Sequence, residues 1–105
     1  MDAVFKALAD SHRRALLDRL YDADGRTLGE LCDGMSMSRQ AVSKHLAVLE
    51  GAGLVVTHRI GREKFHYLNP LPIREIGDRW IARYTQRRIA AVAALKRALE
   101  ETDDG

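Results

Sequence analysis

Residues 27 to 68 hold the arrangement that most restricts the fold. One helical pattern opens at Thr27, and a second runs from Ser36 or Ser38 through Val42, Leu46 and Leu49. About four residues separate them, the spacing of a helix-turn-helix, whose second helix enters a major groove. After Gly51 and Gly53 the pattern changes. Leu54-Val-Val-Thr-His-Arg59 and Glu63-Lys-Phe-His-Tyr-Leu68 are β-prone runs joined through Ile60-Gly61-Arg62, which reads as a hairpin. The expected fold is therefore mostly α with a small β-hairpin wing.

The flanking residues extend this frame. Val4, Phe5 and Leu8 mark a short amphipathic helix. Asp10 and Ser11 can cap a second helix whose apolar face is Leu16, Leu17, Leu20 and Tyr21, closed by the turn Asp22-Ala-Asp-Gly25. Thr27 and Glu30 have capping-box spacing, in which each side chain satisfies an end amide of the other residue. Gly34 ends that short helix. Asn69-Pro-Leu-Pro72 breaks the second strand, and from Ile73 to about Glu101 there is no proline and only Gly77 to weaken a helix. The expected organisation is a single domain over 1–105, with the helix-turn-helix at 27–50, the wing at 54–68 and a last helix at 73–101.

Composition narrows the function classes. At 105 residues, 46% hydrophobic and 30% charged, the chain has room for one core and is not a disordered tail. The longest apolar run, Ile89 to Leu95, cannot span a bilayer, so no membrane partner is expected. Met-Asp-Ala-Val-Phe-Lys has an acid where a secretory signal needs bases. Together with the single cysteine, Cys32, this points to a reducing cytoplasm. The net charge of +2 is small, but its distribution is uneven. Residues 38 to 66 hold five bases against two acids, residues 67 to 99 seven against two, and the last six residues four acids. Basic stretches on a domain attract polyanions, of which phosphate backbones are the commonest.

The helix pair suits double-stranded DNA. If Val42, Leu46 and Leu49 face inward, then Arg39, Gln40, Ser43, Lys44 and part of His45 face outward. Arginine and glutamine can make bidentate contacts to guanine and adenine edges. Serine, lysine and the amides at the helix start, beginning at Ser38, suit phosphate oxygens. The hairpin tip, Gly61 and Arg62 flanked by Arg59 and Lys64, is placed to lie along the backbone beside the groove. The alternative is a winged-helix module that binds protein with its basic face solvated. No nucleophile–base pair, glycine-rich phosphate loop or supported carboxylate pair suggests an enzyme.

Phe5-Lys-Ala-Leu-Ala-Asp10 with His12-Arg13-Arg14, Gly29-Glu-Leu31, Met37-Ser-Arg-Gln-Ala-Val-Ser-Lys-His-Leu46, Leu49 and Ala52-Gly-Leu-Val55 together resemble the ArsR/SmtB family of bacterial winged-helix repressors. The resemblance runs over nearly the whole chain. It implies a homodimer that represses transcription from a two-fold operator and releases it on a signal, with dimerisation through the first and last helices. Val4, Phe5 and Leu8 would serve on the first. Trp80, Tyr84, Ile89, Val92, Leu95 and Leu99 would serve on the last, where Ala90, Ala91, Ala93 and Ala94 permit close approach. Ile73, Ile76, Trp80 and Tyr84 form one stripe of that helix, and Ile89 to Leu99 another.

The family's known metal sets are incomplete in this chain. Glu30-Leu31-Cys32 is followed by Asp33 and Gly34, so the second thiolate of the Glu-Leu-Cys-x-Cys pattern is missing. Between Trp80 and Leu99 there is no His, Asp or Glu for a last-helix site. The histidines do not converge in sequence, and Asp10-Ser11-His12 reads as capping plus surface. No metal or cofactor is expected, and any small-molecule effector is unidentified. Cys32 reads as the small buried residue where the helices cross. Counting Phe65 and Tyr67 inward would turn His66 outward, whereas the family pattern with Leu68 apolar turns it inward, the reading preferred here.

Overall fold

The structure is a computed structural model; it describes residues 1–103, the last two by backbone alone. Contacts divide the chain into two units, Met1–Ile73 and the residues from Arg74 onward, and each is described by itself.

The first unit begins with α1 (Asp2–Leu8) and α2 (Ser11–Asp22). Asp10 separates them as the N-cap of α2, its Oδ1 accepting from the backbone N–H of His12 at 2.8 Å and Arg13 at 3.1 Å. Those amides, Arg13 first, hold the Asp10 carboxyl below the usual carboxylate range. The next residues close the end of α1. Arg13 donates to Ala7 O and Lys6 O, both at 2.8 Å, and Arg14 to Leu8 O at 2.6 Å, satisfying carbonyls that a helix end leaves open.

Leu16, Leu17 and Leu20 are buried as the spacing predicts, but Tyr21 is 80% exposed. Tyr21 falls on the last turn of α2, at the rim of the apolar stripe, where no neighbouring element covers it. The predicted apolar face is corrected by that one residue.

The capping box forms as expected at the start of α3 (Leu28–Cys32). Thr27 Oγ1 accepts from Glu30 N–H, and the Glu30 carboxylate accepts from the Thr27 amide and hydroxyl. These donors, the Thr27 amide first, keep the Glu30 carboxyl below its ordinary range. Leu31 is fully buried, whereas Cys32 is only half-buried. In so short a helix the residue after Leu31 is already turning toward solvent, so Leu31 and not Cys32 fills the core.

The next helix, α4 (Arg39–Gly51), is capped by Ser38, whose Oγ accepts from Ala41 N–H at 3.1 Å. Val42, Leu46 and Leu49 are buried along one face. This helix packs on α1, α2, α3 and, in the wing, β1. It is the element around which the core of Ala7, Leu16, Leu20, Leu31, Leu54 and Val55 closes.

The wing is a two-stranded antiparallel sheet, β1 (Val55–Ile60) and β2 (Glu63–Leu68), in register from Val55↔Leu68 to Ile60↔Glu63. Gly61 turns the chain at φ +63°, with Arg62 at negative φ, the φ pattern of a type II′ hairpin turn. An isolated hairpin is marginal in water, and this one is tied to the helices at its base. Arg26 forms an isolated antiparallel bridge to His66. His66 N–H donates to Arg26 O at 2.7 Å, and Gly25 N–H and Arg26 N–H donate to His66 O at 3.0 and 3.1 Å. His66 is 5% exposed, and its Nδ1 lies 2.9 Å from Arg26 O. A carbonyl only accepts, so Nδ1 carries the proton. His66 thus points inward. Leu68 N–H donates to Asp24 Oδ1 at 2.8 Å.

Gly25 sits inside this junction at φ +72°, and a Cβ built there would meet the Tyr67 ring at 3.2 Å. Gly25→Ala should therefore lower stability by about 1–2 kcal/mol from the left-handed backbone alone. A fall in urea midpoint with unchanged slope would show it, and an unshifted midpoint would contradict this conformation.

Over the stretch expected as a helix, 73–101, the chain forms α5 (Leu71–Ile76), a π-helical turn (Gly77–Ile81) and α6 (Ala82–Asp103). The turn opens at Gly77, the one weak helix former in the stretch. Within the second unit Trp80, Tyr84, Ile89, Val92, Leu95 and Leu99 are all exposed, from 46% at Trp80 to 75% at Tyr84. No helix among the described residues is long and apolar enough to cross a membrane.

Candidate nucleic-acid interface

The outer face of α4 presents Arg39, Gln40, Ser43 and Lys44, all exposed, opposite the buried Val42, Leu46 and Leu49. This follows from helical period: the buried residues recur at four and three, so the residues between them rotate outward. An open groove of about 500 Å³ runs between α4, the start of α3 and the wing, and Thr27, Arg39, Ser43, Glu50, Arg62 and Lys64 line it.

Three predicted site residues have partners that alter their reading. Ser38 uses one lone pair of its oxygen as the acceptor of the α4 cap, and its O–H can still donate outward. Lys64 Nζ lies 3.4 Å from Glu50 Oε2, and Thr57 Oγ1 donates to Glu50 Oε1 at 3.1 Å. Glu50 therefore anchors the wing to the end of α4. It also relieves the Arg59↔Lys64 cross-strand pair, in which like charges directly opposite would repel. Arg59 and Arg62 are exposed. The pattern-based reading missed Glu50, because one acid at a helix end carries no signal until the hairpin register places Lys64 and Thr57 beside it.

His45 faces only partly outward, in line with its helical phase. It is half-buried, with Nδ1 3.4 Å from Arg13 Nη1 and its ring centroid 5.8 Å from that of His12. Asp10, His12 and His45 together offer ligand-type atoms that all lie within 4.8 Å of one another. The expectation that the histidines do not converge is thus corrected for this pair: the fold brings residues separated by more than thirty positions into contact where α2 meets α4. His58 and His66 do stay apart. His58 pairs with Phe65 and is exposed, while His66 pairs with Thr57 and is buried, so the two lie on opposite faces.

Of the residues expected at a dimer interface, Val4 is 7% exposed within the chain itself. It belongs to the core of the first unit, because α1 turns it toward α2 and α4. Phe5 is 45% exposed and Leu8 half-buried.

A helix pair with a polar, basic outer face and a basic-tipped ribbon beside it defines a winged helix-turn-helix DNA-binding regulator. Comparison with known proteins agrees. A family profile described as a helix-turn-helix domain matches residues 8–58. The chain is 43% identical over 86 residues to an uncharacterized HTH-type transcriptional regulator, YuzN, of Bacillus subtilis, covering 76% of this chain and 94% of that protein. It is 33% identical over 75 residues to the transcriptional repressor SdpR of the same organism, covering 71% and 82%. Among solved structures, an ArsR-like transcriptional regulator from Rhodococcus sp. RHA1 superposes with a TM-score of 0.72 at 30% identity, covering 92% of this chain and 90% of that one. The chain belongs to the ArsR/SmtB family of winged helix-turn-helix transcriptional regulators.

Proposed function

We propose that the protein is a homodimeric, sequence-specific repressor that occupies a two-fold operator with α4 in successive major grooves. The observation that carries this reading is the outer face of α4, where Arg39, Gln40, Ser43 and Lys44 are exposed together. Gln40 and Arg39 would read base edges; Ser43, Lys44 and the Ser38 hydroxyl would hold phosphates. Arg59 and Arg62 would track the backbone from the wing, with Lys64 shared between DNA and Glu50. His45 would support α4 from behind.

Dimerisation is inferred from the exposed apolar faces of Tyr84, Ile89, Val92, Leu95 and Leu99, with Phe5, Leu8 and Trp80 contributing. Repression is inferred from relatives named as repressors. Such a protein acts where the chromosome is, in the cytoplasm, and a small-molecule effector would relieve it.

Selection from random duplexes at two salt concentrations tests the reading. Half-sites should recur about 34–36 Å apart or at a multiple of that spacing. Lys44→Ala, which removes one lysine from each half of the dimer, should weaken all sites and reduce the salt slope by about 2, while Gln40→Ala should change base preference at one position per half-site. A protein that stays monomeric and ignores duplexes at low salt would be a protein-binding winged-helix module instead.

A further inference from the structure

We propose that Asp10, His12 and His45 form a binding site for one divalent first-row transition metal of the zinc type, joining the start of α2 to the middle of α4. The three side chains already place ligand-type atoms within 4.8 Å of one another. Bonds of about 2.0–2.1 Å in a tetrahedral site would need those atoms roughly 3.3 Å apart, a closure that small side-chain rotations supply. Two imidazoles and one carboxylate favour zinc, cobalt or nickel over calcium and magnesium, which want more oxygens. They also leave a fourth position open.

The surroundings suit such a role. The Asp10 carboxylate is oriented by two backbone amides through Oδ1, the kind of outer support that positions metal ligands. The His12 side chain is 51% exposed, which gives an ion a way in.

Arg13 is the opposing group. Its Nη1 lies 3.4 Å from His45 Nδ1 and 4.0 Å from Asp10 Oδ2. Its Nε and Nη2 are held by Ala7 O and Lys6 O. The guanidinium can therefore give up its contact with His45 and keep its place, although its charge limits affinity and favours metals that bond strongly to imidazole. None of the three ligands is a thiolate or lies on the last helix, so this site is separate from the ligand sets that the chain lacks. All three lie in the first unit of one chain, so the stoichiometry does not depend on dimerisation.

Titration of the untagged full chain with cobalt(II) or zinc(II) alone tests the site. One ion per chain is expected, with the visible d–d absorption of tetrahedral cobalt. His12→Ala and Asp10→Asn should each weaken binding by about tenfold or more, and Asn preserves the helix cap. His58→Ala should bind as the parent does. Absence of one-to-one binding, an unaffected His12→Ala, or an equal loss in His58→Ala would overturn the site.

The coupling to α4 rests on the DNA reading. Saturating zinc should change operator affinity by about fivefold or more, within the usual range for linked sites, and should do so in the parent but not in His12→Ala. Unchanged operator affinity in zinc would overturn the coupling. Zinc binding with this mutational pattern, in a protein that ignores duplexes with or without zinc, would leave the site standing and remove the DNA reading.

Discussion

A chain carrying Val92→Glu and Leu99→Glu is expected to sediment as a folded monomer and to bind its operator about 10²–10⁴-fold more weakly. The factor is what joining two binding modules adds when both can engage at once. Val92 is 52% and Leu99 59% exposed on α6, so neither substitution opens a cavity in the chain's own core. A helix of 22 residues extends about 33 Å, and along it Ile89, Val92, Leu95 and Leu99 turn a continuous apolar stripe to water. A second copy would bury that stripe, with the intervening alanines letting the helices approach closely. Carboxylates there would have to lose their hydration in the interface, which is strongly unfavourable. Ultracentrifugation and operator titration give the two readouts. A variant that stays dimeric, or a monomer with undiminished affinity, would contradict the assignment of α6.

The largest effect on stability is expected at Leu49. It is fully buried on α4, the helix on which α1, α2, α3 and β1 all pack. Leu49→Ala removes apolar area and leaves a cavity that several elements would have to collapse around. A loss of about 2–5 kcal/mol follows, set against a total of about 5–15 kcal/mol for a domain of this size. Tyr21→Ala is the contrasting substitution. At 80% exposure on the neighbouring α2, it should stay within about 0.5 kcal/mol. Urea unfolding of both variants separates a packing effect from a general sensitivity to substitution. Similar midpoints would mean that α4 is not the centre of the core.

Local chemistry made most of the first unit readable. Thr27 and Glu30, Ser38, Asp10, and the period of Val42, Leu46 and Leu49 act over a few residues, and each appears where its spacing placed it. What escaped depends on contacts distant in the chain. Helical phase places His45 only partly outward, in agreement with its half-buried state, but its partners Arg13 and His12 are supplied by α2, which phase alone does not show. The anchoring of the wing by Glu50 and Arg26 depends on hairpin register, which no residue near those positions announces. Tyr21 and Val4 were misplaced for the same reason. Apolar character gives a residue a face, but only the neighbouring elements decide whether that face is covered.

The attachment of the wing at its base bears on how such a regulator can change its targets. The bonds that hold the hairpin to the rest of the unit gather at Arg26–His66, Asp24–Leu68 and Glu50 with Thr57 and Lys64. Beyond them, Ile60, Gly61, Arg62 and Glu63 are exposed. Apart from the glycine that the turn requires, the tip can accumulate substitutions with little penalty to folding. On the proposed placement of the wing against DNA, preference could therefore drift at the tip, generation by generation, on a scaffold whose own integrity is secured elsewhere.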